Sequence, residues 1–414
     1  MTPKQRMRAA MMGERPDVGP AAPSYLALFR EPVEKRRYVE LYHERMQGMK
    51  RYRPDHDEDV EFRLQALKDA YEIFPVMPDC IEVSAGPARQ WAERTEISLE
   101  DSQLCYLDTV TGERRNMLTT DFPAGRDYLY GILPSADEPD VWDQSELIQS
   151  CDVIDMLVRL VPLEELEEQG VFDLPRTLAA GWGRDLFIMT YDSTPYTAAY
   201  LLGFQGMMTS FYDNPNNLQY FIERIFEQRK PVLRGYSKSG CDGLYVEEIF
   251  SGADIISPEL YDKFAFPGNA EYFEFAKECG LLTTYYICGN PLPLLERIGR
   301  LECSAVAVEE GKKNFEIPIE HVINALGKRK CIFGNIDAVE FGLHARPEQV
   351  RAEVARQIEA GRKAKGFVVS IGSPLPLHSP MENVAALIET AHSSLVGTQL
   401  LHVKSISEGD SHAC

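Results

Sequence analysis

Residues able to do chemistry follow several short apolar segments of the sequence. The segments are typical of β-strands, and the polar residues at or just beyond their ends are Asp192, Glu247, Glu248, Cys288, Glu309, Glu310, Asn335, Asp337 and Ser373. Carboxylates gathered in one place can bind a metal ion, orient a cationic group, or act as general acid and base. Each acid has a plainer alternative, because an acid at a strand end often caps the following helix.

The apolar segments alternate with helical stretches, most clearly in the second half of the chain. The candidate strands are Leu186–Tyr191, Leu244–Glu248, Leu282–Cys288, Ala305–Glu309, Cys331–Ile336 and Phe367–Ile371, and Ile81–Ser84 and Val18–Ala22 bring their number to eight. Apolar runs without polar alternation indicate strands that are buried on both faces of a parallel sheet. The pattern predicts an α/β fold, a single (β/α)8 TIM barrel over residues 1–414. Its active site is expected where the carboxyl ends of the strands meet.

Two stretches fit the alternation less well. The segment 91–185 is interpreted as an elaboration between the first strands of the barrel, and 393–414 as a tail. The acidic run Glu164–Glu168 inside the elaboration is most simply a solvated helix face.

Composition excludes several classes of function. The 414 residues carry a formal net charge of −21, which disfavours nucleic acid and anionic membrane surfaces as partners. No stretch approaches the roughly 20 apolar residues that cross a bilayer, and no secretory signal is apparent. The nine cysteines form no CxxC pair and indicate reduced thiols in a cytoplasmic protein. The absence of Walker and GxGxxG motifs argues against a nucleotide cofactor.

Five short motifs carry a family resemblance. They are Thr2–Arg6 with Gly13–Asp17, Ser257–Tyr261, Cys288–Asn290, Gly334–Asp337 and Ser379–Asn383. Each fragment and their order resemble the uroporphyrinogen decarboxylase superfamily. The resemblance implies a single β/α barrel with its site in the mouth.

That superfamily holds two chemistries. Its haem-pathway decarboxylases remove carboxyl groups from a porphyrinogen without a metal. Its cobalamin-dependent methyltransferases move a methyl group between a small methylated compound, a corrinoid on a partner protein, and a thiol or folate. The opening of this chain lacks the arginine-rich segment with which decarboxylases hold substrate carboxylates, so the chain is more similar to the methyltransferase branch.

The resemblance also implies a zinc ion, which the methyltransferases hold through a His-x-Cys motif, a later cysteine and a nearby acid. Here the first motif reads Tyr286-Ile287-Cys288, and Ser373 replaces the later cysteine. The implied metal ligands are therefore Cys288 and Glu248, a small set for a zinc site. Cys303, His378, Glu309 or Glu310 are the available substitutes, and nothing in their spacing requires them.

The sequence thus predicts an enzyme that takes a methyl group from a small O- or N-methylated compound and passes it to a corrinoid protein. The residues assigned to catalysis are Glu248, Tyr286, Asp192 and His378, and those assigned to substrate binding are Tyr196, Asn335, Asp337 and Ser373. A core role for Tyr286 and a surface role for His378 remain open. So do two other functions, a metal-independent decarboxylase of a non-porphyrin substrate and a non-catalytic ligand-binding relative.

Overall fold

A computed structural model describes residues 1–23, 26–119, 143–311 and 315–394. The strands of these residues are numbered β1–β11 along the chain. Seven of them form one parallel sheet in the order β2-β6-β7-β8-β9-β10-β11. They are β2 (Cys80–Glu82), β6 (Phe187–Ser193), β7 (Gly243–Glu248), β8 (Leu282–Ile287), β9 (Ala305–Val308), β10 (Cys331–Phe333) and β11 (Gly366–Val368). The α/β class and the parallel sheet agree with the prediction.

In the eighth predicted strand, Val18–Ala22, Ala21 forms an isolated β-bridge with Val369, and the described residues there form no regular strand. The amide of Ala22 donates to the carbonyl of Val369 at 3.0 Å, and the amide of Asp79 donates to the carbonyl of Ala21 at 2.8 Å. This segment therefore links the β11 and β2 edges without forming a strand. Pro20 supplies no amide hydrogen, which limits regular pairing. The described residues form a TIM-barrel-like sheet with seven regular strands.

The curled sheet separates two apolar layers. Its inner face encloses a small cluster, whereas its outer face packs on the helices in a much larger one. Along β7, Leu244 and Val246 face the helices and Tyr245 faces inward. Side chains alternate in direction along a strand, so neighbouring residues here lie in different layers.

Helices cover the outer face and one end. The α-helices are Pro3–Met12, Leu26–Arg45, His56–Tyr71, Arg89–Arg94, Cys151–Leu157, Leu163–Glu168, Asp173–Trp182, Pro195–Ala198, Gly203–Asp213, Pro215–Ser239, Pro258–Leu260, Phe266–Glu278, Leu295–Ile298, Ile319–Leu326, Pro347–Gly361 and Met381–Ser393. Short 3₁₀ helices span Ser145–Ile148, Ala199–Leu202 and Leu292–Leu294, and π-helical turns span Tyr261–Ala265 and Ala338–His344. None of the helices in the described ranges is long and apolar enough to cross a membrane.

The Pro3–Met12 helix closes the amino end of the sheet. Thr2 starts it with a capping box that includes Gln5. Its Lys4 and Arg6 pair with the buried acids Asp242 and Asp79 at 2.9 and 2.7 Å. The amino end of the sheet is thus covered, and the predicted site at the carboxyl ends of the strands lies at the opposite end.

A second, antiparallel sheet accounts for the irregular part of the chain. It has the order β1-β3-β4-β5 and consists of β1 (Arg51–Tyr52), β3 (Thr95–Glu100), β4 (Gln103–Asp108) and β5 (Arg114–Asn116). With neighbouring helices it forms a separate apolar cluster. The elaboration was predicted at 91–185, but this sheet begins at Arg51. The parts of the predicted elaboration and tail at 120–142 and 395–414 lie outside the described residues.

Candidate functional site

Three tyrosines on adjacent strands line the inner face towards its open end. We name Tyr191, Tyr245 and Tyr286 the tyrosine ladder. The ring centroids of Tyr191 and Tyr245 lie 5.4 Å apart, as do those of Tyr245 and Tyr286. Tyr191 is partly exposed, whereas the other two rings are buried. Tyr191 and Tyr245 pair in register, and Tyr286 lies one inward-facing position nearer the carboxyl ends of the strands.

Carboxylates surround the ladder. The Tyr191 hydroxyl donates to Glu82 Oε1 at 2.7 Å. Glu247 lies two residues beyond Tyr245 in β7, so its side chain points to the same face. It pairs in register with Tyr286 of β8. At the end of β9, Glu309 Oε2 accepts the Gly289 amide at 2.8 Å. The open end of the inner face is thus aromatic and acidic.

Tyr286 lies on this face, as expected of a site residue, with only 1% of its surface exposed. Its hydroxyl donates to the carbonyl of Gly372 at 2.9 Å. Burial raises the pKa of Tyr286 far above its ordinary value, and the neighbouring Cys288 thiol adds to this effect. The side chain therefore keeps its proton and serves as a hydrogen-bond donor.

Gly372 has no room for a side chain. A Cβ atom there would lie 2.3 Å from Glu310 Oε2 and 2.4 Å from the Glu310 amide nitrogen. Ser373 donates its hydroxyl to Glu310 Oε1 at 2.6 Å. Glycine at this position thus lets the loop after β11 approach the loop after β9 and deliver its carbonyl to Tyr286.

Cys288 follows β8, half-buried, and packs against the inner cluster. It is two residues beyond Tyr286, so both side chains share one face. The structure brings Cys288, Tyr286 and Ser373 to the same end of the sheet. Their roles in catalysis and binding remain predictions.

Glu248 lies in a different layer. It is fully buried on the outer face, where Thr194, Thr197 and Asn269 donate to its carboxylate at 2.9, 2.9 and 2.8 Å. Burial raises the pKa of Glu248 above its ordinary value, although these hydrogen bonds act in the opposite direction. The amide of Cys288 donates to the Glu248 carbonyl, but the two side chains point to opposite faces. The expectation that Cys288 and Glu248 face one site as metal ligands is therefore wrong.

Asp192 is also on the outer face. Its carboxylate accepts the Tyr272 hydroxyl at 2.6 Å and lies 3.5 Å from Arg229 Nε. Tyr196 is buried in the same layer, in the short Pro195–Ala198 helix. Both residues were predicted to line the mouth. The structure instead packs both between the sheet and its helices: Asp192 faces the same way as the outward residues of β6, and Tyr196 follows β6 in the outer helical layer.

The remaining predicted residues shape the rim. Asn335 donates to the carbonyls of Glu309 and Ile317, at 3.2 and 2.9 Å, and so ties the loop after β9. Asp337 caps the turn that follows it by accepting the amides of Val339 and Glu340, both at 2.8 Å. For Asp337 the structure supports the capping alternative.

His378 lies in an exposed turn of the last loop. This placement agrees with the surface interpretation that the sequence left open.

The zinc ligands implied by the resemblance do not converge. Because Cys288 and Glu248 occupy opposite faces, they cannot hold one ion between them. Among the described residues, three ligand atoms come together only at His56, Asp57 and Asp173. Arg89 pairs with both of these acids, at 3.1 Å each, and thereby offsets their charge. The described residues of the mouth thus do not provide the three or four ligands of a zinc site.

Sequence reasoning missed Tyr191, Tyr245 and Glu82 as site residues. Each occupies a strand position two residues from another inward-facing side chain. Period-two spacing within each strand was the available signal. This spacing did not distinguish the inner face from the outer face, because the outward-facing residues between the inward-facing ones are also mostly apolar or acidic and buried.

Comparisons with known proteins give consistent matches. A family model described as uroporphyrinogen decarboxylase (URO-D) matches residues 149–394. A methylcobamide:CoM methyltransferase, MtbA, of Methanosarcina mazei is 20% identical over 216 residues, which are 52% of this chain and 61% of that protein. A uroporphyrinogen decarboxylase of Carboxydothermus hydrogenoformans is 23% identical over 192 residues, 46% of this chain and 52% of its own.

These alignments span only about half to two thirds of the relatives' lengths. A solved structure described as a methyltransferase from Methanosarcina mazei superimposes with a TM-score of 0.62 at 18% sequence identity. The superposition covers 94% of this chain and 98% of that one. At this identity the likeness establishes the shared fold.

Proposed function

We propose a function from the premise that this chain belongs to the uroporphyrinogen decarboxylase family. The chain is an enzyme that takes a methyl group from a small O- or N-methylated compound and passes it to a corrinoid held by a partner protein. Support for this branch comes from the similarity to a methylcobamide methyltransferase and from the chemistry of the inner face.

One observation carries the proposal: no lysine or arginine occurs in any of the seven parallel strands, while Glu82 and Glu247 lie on their inner face. A substrate with many carboxylates would meet like charges there. Two like charges 4 Å apart repel by about 4 kcal/mol at an effective dielectric constant of 20. The site is therefore better suited to a neutral or cationic substrate than to a porphyrinogen.

The chain's own residues would bind and orient the substrate. Tyr191 offers its ring from the wall of the opening, and Cys288 adds a polarisable thiol at the rim. Tyr286 keeps the proton on its hydroxyl. Once this hydroxyl releases the Gly372 carbonyl, it can donate a hydrogen bond to the substrate heteroatom that has lost its methyl group. The corrinoid, when bound by its partner, supplies the acceptor for the methyl group. The buried layers beneath the ladder exclude water from the inner face.

The test is methyl transfer to free, reduced cobalamin as a substitute for the partner's corrinoid. The purified chain is incubated with a panel of methoxy and N-methyl compounds, and methylcobalamin formation is followed by its absorbance. We expect transfer from at least one compound, and at least a tenfold lower rate in Tyr286→Phe. The matched control is Tyr285→Phe, since Tyr285 faces the helices and contacts Tyr261.

No transfer from any compound would contradict the proposal. Release of carbon dioxide without cobalamin would instead establish the decarboxylase alternative. Binding of a compound with no turnover would establish the non-catalytic one.

A further inference from the structure

We infer that Asp254 is a positioning residue, whose carboxylate holds the Cys288–Asn290 loop and thereby fixes the Cys288 thiol on the inner face. The inference rests on the proposed function, in which this thiol contacts the substrate at the rim. It assigns a role to a residue of the loop after β7 that the sequence did not single out.

Three successive amides of the Cys288–Asn290 loop each have an acceptor of their own. In chain order they donate to the Glu248 carbonyl at 2.9 Å, to Glu309 Oε2 at 2.8 Å and to Asp254 Oδ1 at 2.7 Å. The carbonyl of Asn290 in turn accepts the Ala253 amide at 2.9 Å. Two hydrogen bonds of opposite direction therefore join Asn290 to the loop after β7. Segments with few such contacts open most readily, so these bonds keep the loop in one conformation.

The Asp254 carboxylate occupies a space that two glycines leave open. A Cβ atom on Gly252 would lie 2.5 Å from Asp254 Oδ1, and one on Gly289 would lie 2.2 Å from the same oxygen. Gly289 also has a φ of +79°, a left-handed conformation that favours glycine. The loops after β7 and β8 thus fit together closely around this one side chain.

The same loop sets the position of the thiol. Cys288 directly precedes Gly289, packs against the inner cluster and neighbours the Tyr286 side chain. A movement of the loop therefore moves the sulfur atom relative to the tyrosine ladder. A displacement of about 1 Å can lower a rate about a hundredfold, even when the substituted residue lies away from the chemistry.

Asp254 itself is exposed, so its hydrogen bond contributes little to the stability of the fold. After its removal, water can accept the Asn290 amide, but a water molecule on that amide does not hold the two loops together. Removal of the carboxylate should therefore loosen the loop while the core stays intact.

The decisive experiment measures how fast Cys288 reacts with iodoacetamide in the folded protein, by mass spectrometry of its peptide. We expect Asp254→Ala to raise the rate constant at Cys288 at least fivefold, because the half-buried thiol becomes more accessible. Asp254→Asn keeps an acceptor oxygen and should stay within twofold of the wild type. The buried Cys303 should react equally slowly in all three proteins, because the core stays folded.

The matched control is Asp55→Ala. Asp55 is also exposed, and its carboxylate accepts two amides in the first turn of the His56–Tyr71 helix, at 3.0 and 3.3 Å. Its removal takes away the same charge and should leave the rate constant at Cys288 within twofold of the wild type.

The second readout is methyl transfer to free, reduced cobalamin, with a methoxy or N-methyl compound that the wild type demethylates. At saturating concentration of that compound, Asp254→Ala should lower the rate at least tenfold. Asp254→Asn should restore the rate to within threefold of the wild type, and Asp55→Ala should stay within the same range.

The outcomes separate this inference from the proposed function. If Cys288 reacts in the expected pattern but no compound transfers a methyl group, the positioning of the thiol by Asp254 stands and the proposed function is wrong. If methyl transfer occurs and Asp254→Ala retains the wild-type rate, the proposed function stands and the inference is overturned. Equal alkylation of Cys288 in Asp254→Ala and the wild type, no rescue by Asp254→Asn, or an equal rise at Cys303 would also overturn it.

Discussion

The two faces of the parallel sheet use the same residue types for different purposes. Glu247 and Glu248 are consecutive in β7, yet Glu247 is partly exposed on the inner face and Glu248 is fully buried on the outer one. Three donors from neighbouring segments bind the Glu248 carboxylate. The buried acid Glu248 connects a strand to helices through satisfied hydrogen bonds, whereas Glu247 lies on the face that opens to the mouth of the sheet.

The tyrosines repeat this contrast. Tyr285 faces the helices, where its hydroxyl lies 3.2 Å from that of Tyr261, and Tyr286 faces the inner layer beneath the mouth. A residue type at a strand end therefore says little about function until its face is known.

The largest expected effect on stability distinguishes the two glutamates. Glu248→Ala should lower the free energy of unfolding by about 3–5 kcal/mol, because it leaves three buried donors without an acceptor. Glu247→Ala should lower it by less than about 1 kcal/mol. Urea unfolding followed by circular dichroism measures both. Equal losses would mean that the two side chains do not occupy different environments.

Gly372→Ala should have the next largest effect and lower the free energy of unfolding by about 1–3 kcal/mol. The added methyl group would overlap the side chain and amide of Glu310, so the two loops must separate and the hydrogen bond of Tyr286 must lengthen. The unfolding midpoint in urea measures the loss. Gly181→Ala serves as a control for the substitution itself, since a Cβ atom there meets open space and the backbone is not in the left-handed region. A Gly372→Ala variant as stable as the wild type would show that the loops do not meet as described.

The pH dependence of stability sharpens the comparison further. Burial raises the folded pKa of Glu248 above its ordinary value of 4.5. Between those two values the folded state binds more protons than the unfolded state, so this group makes the protein less stable as the pH rises, by at most about 1.4 kcal/mol per pH unit. Glu248→Gln removes the titration.

The wild type should therefore lose stability relative to Glu248→Gln as the pH rises through this window. Urea unfolding at several pH values from 4 upwards measures the difference. A difference that is constant with pH, or that changes in the opposite direction, would contradict a raised pKa.

The smallest effect concerns the rim. Asp337→Ala should lower the free energy of unfolding by about 1 kcal/mol, because it removes the carboxylate that accepts hydrogen bonds from the Val339 and Glu340 amides. Asp337→Asn keeps a capping oxygen and should cost less. Thermal unfolding distinguishes the two variants. A larger loss for Asp337→Asn would assign the residue a role that depends on its charge.

The sequence predicted the family and most of the scaffold. The resemblance to the uroporphyrinogen decarboxylase superfamily is confirmed, and so is the parallel sheet. The strand predicted at Leu244–Glu248 is observed at Gly243–Glu248, since a continuous apolar run with flanking turn residues marks a buried strand in any context. Of the residues predicted at the strand ends, Tyr286, Cys288 and Ser373 lie at the open end of the inner face, and their roles stay predictions.

The sequence could not assign faces. Leu244, Tyr245 and Val246 are all apolar and all buried, so nothing in their order tells which one points inward. A shift of one residue reverses every side chain of a strand. The sequence therefore did not show that Glu247 and Tyr191 face inward while Glu248 and Asp192 face the helices.

The sequence by itself determined the fold family and the approximate positions of the strands. Local apolar patterns and short ordered motifs can be recognised without knowing which residues are in contact in space. Only the tertiary structure decided which acids and tyrosines face the inner layer of the sheet. That choice depends on the direction in which the sheet curls and on the helices that cover its other face, and both are set by contacts between residues far apart in the chain.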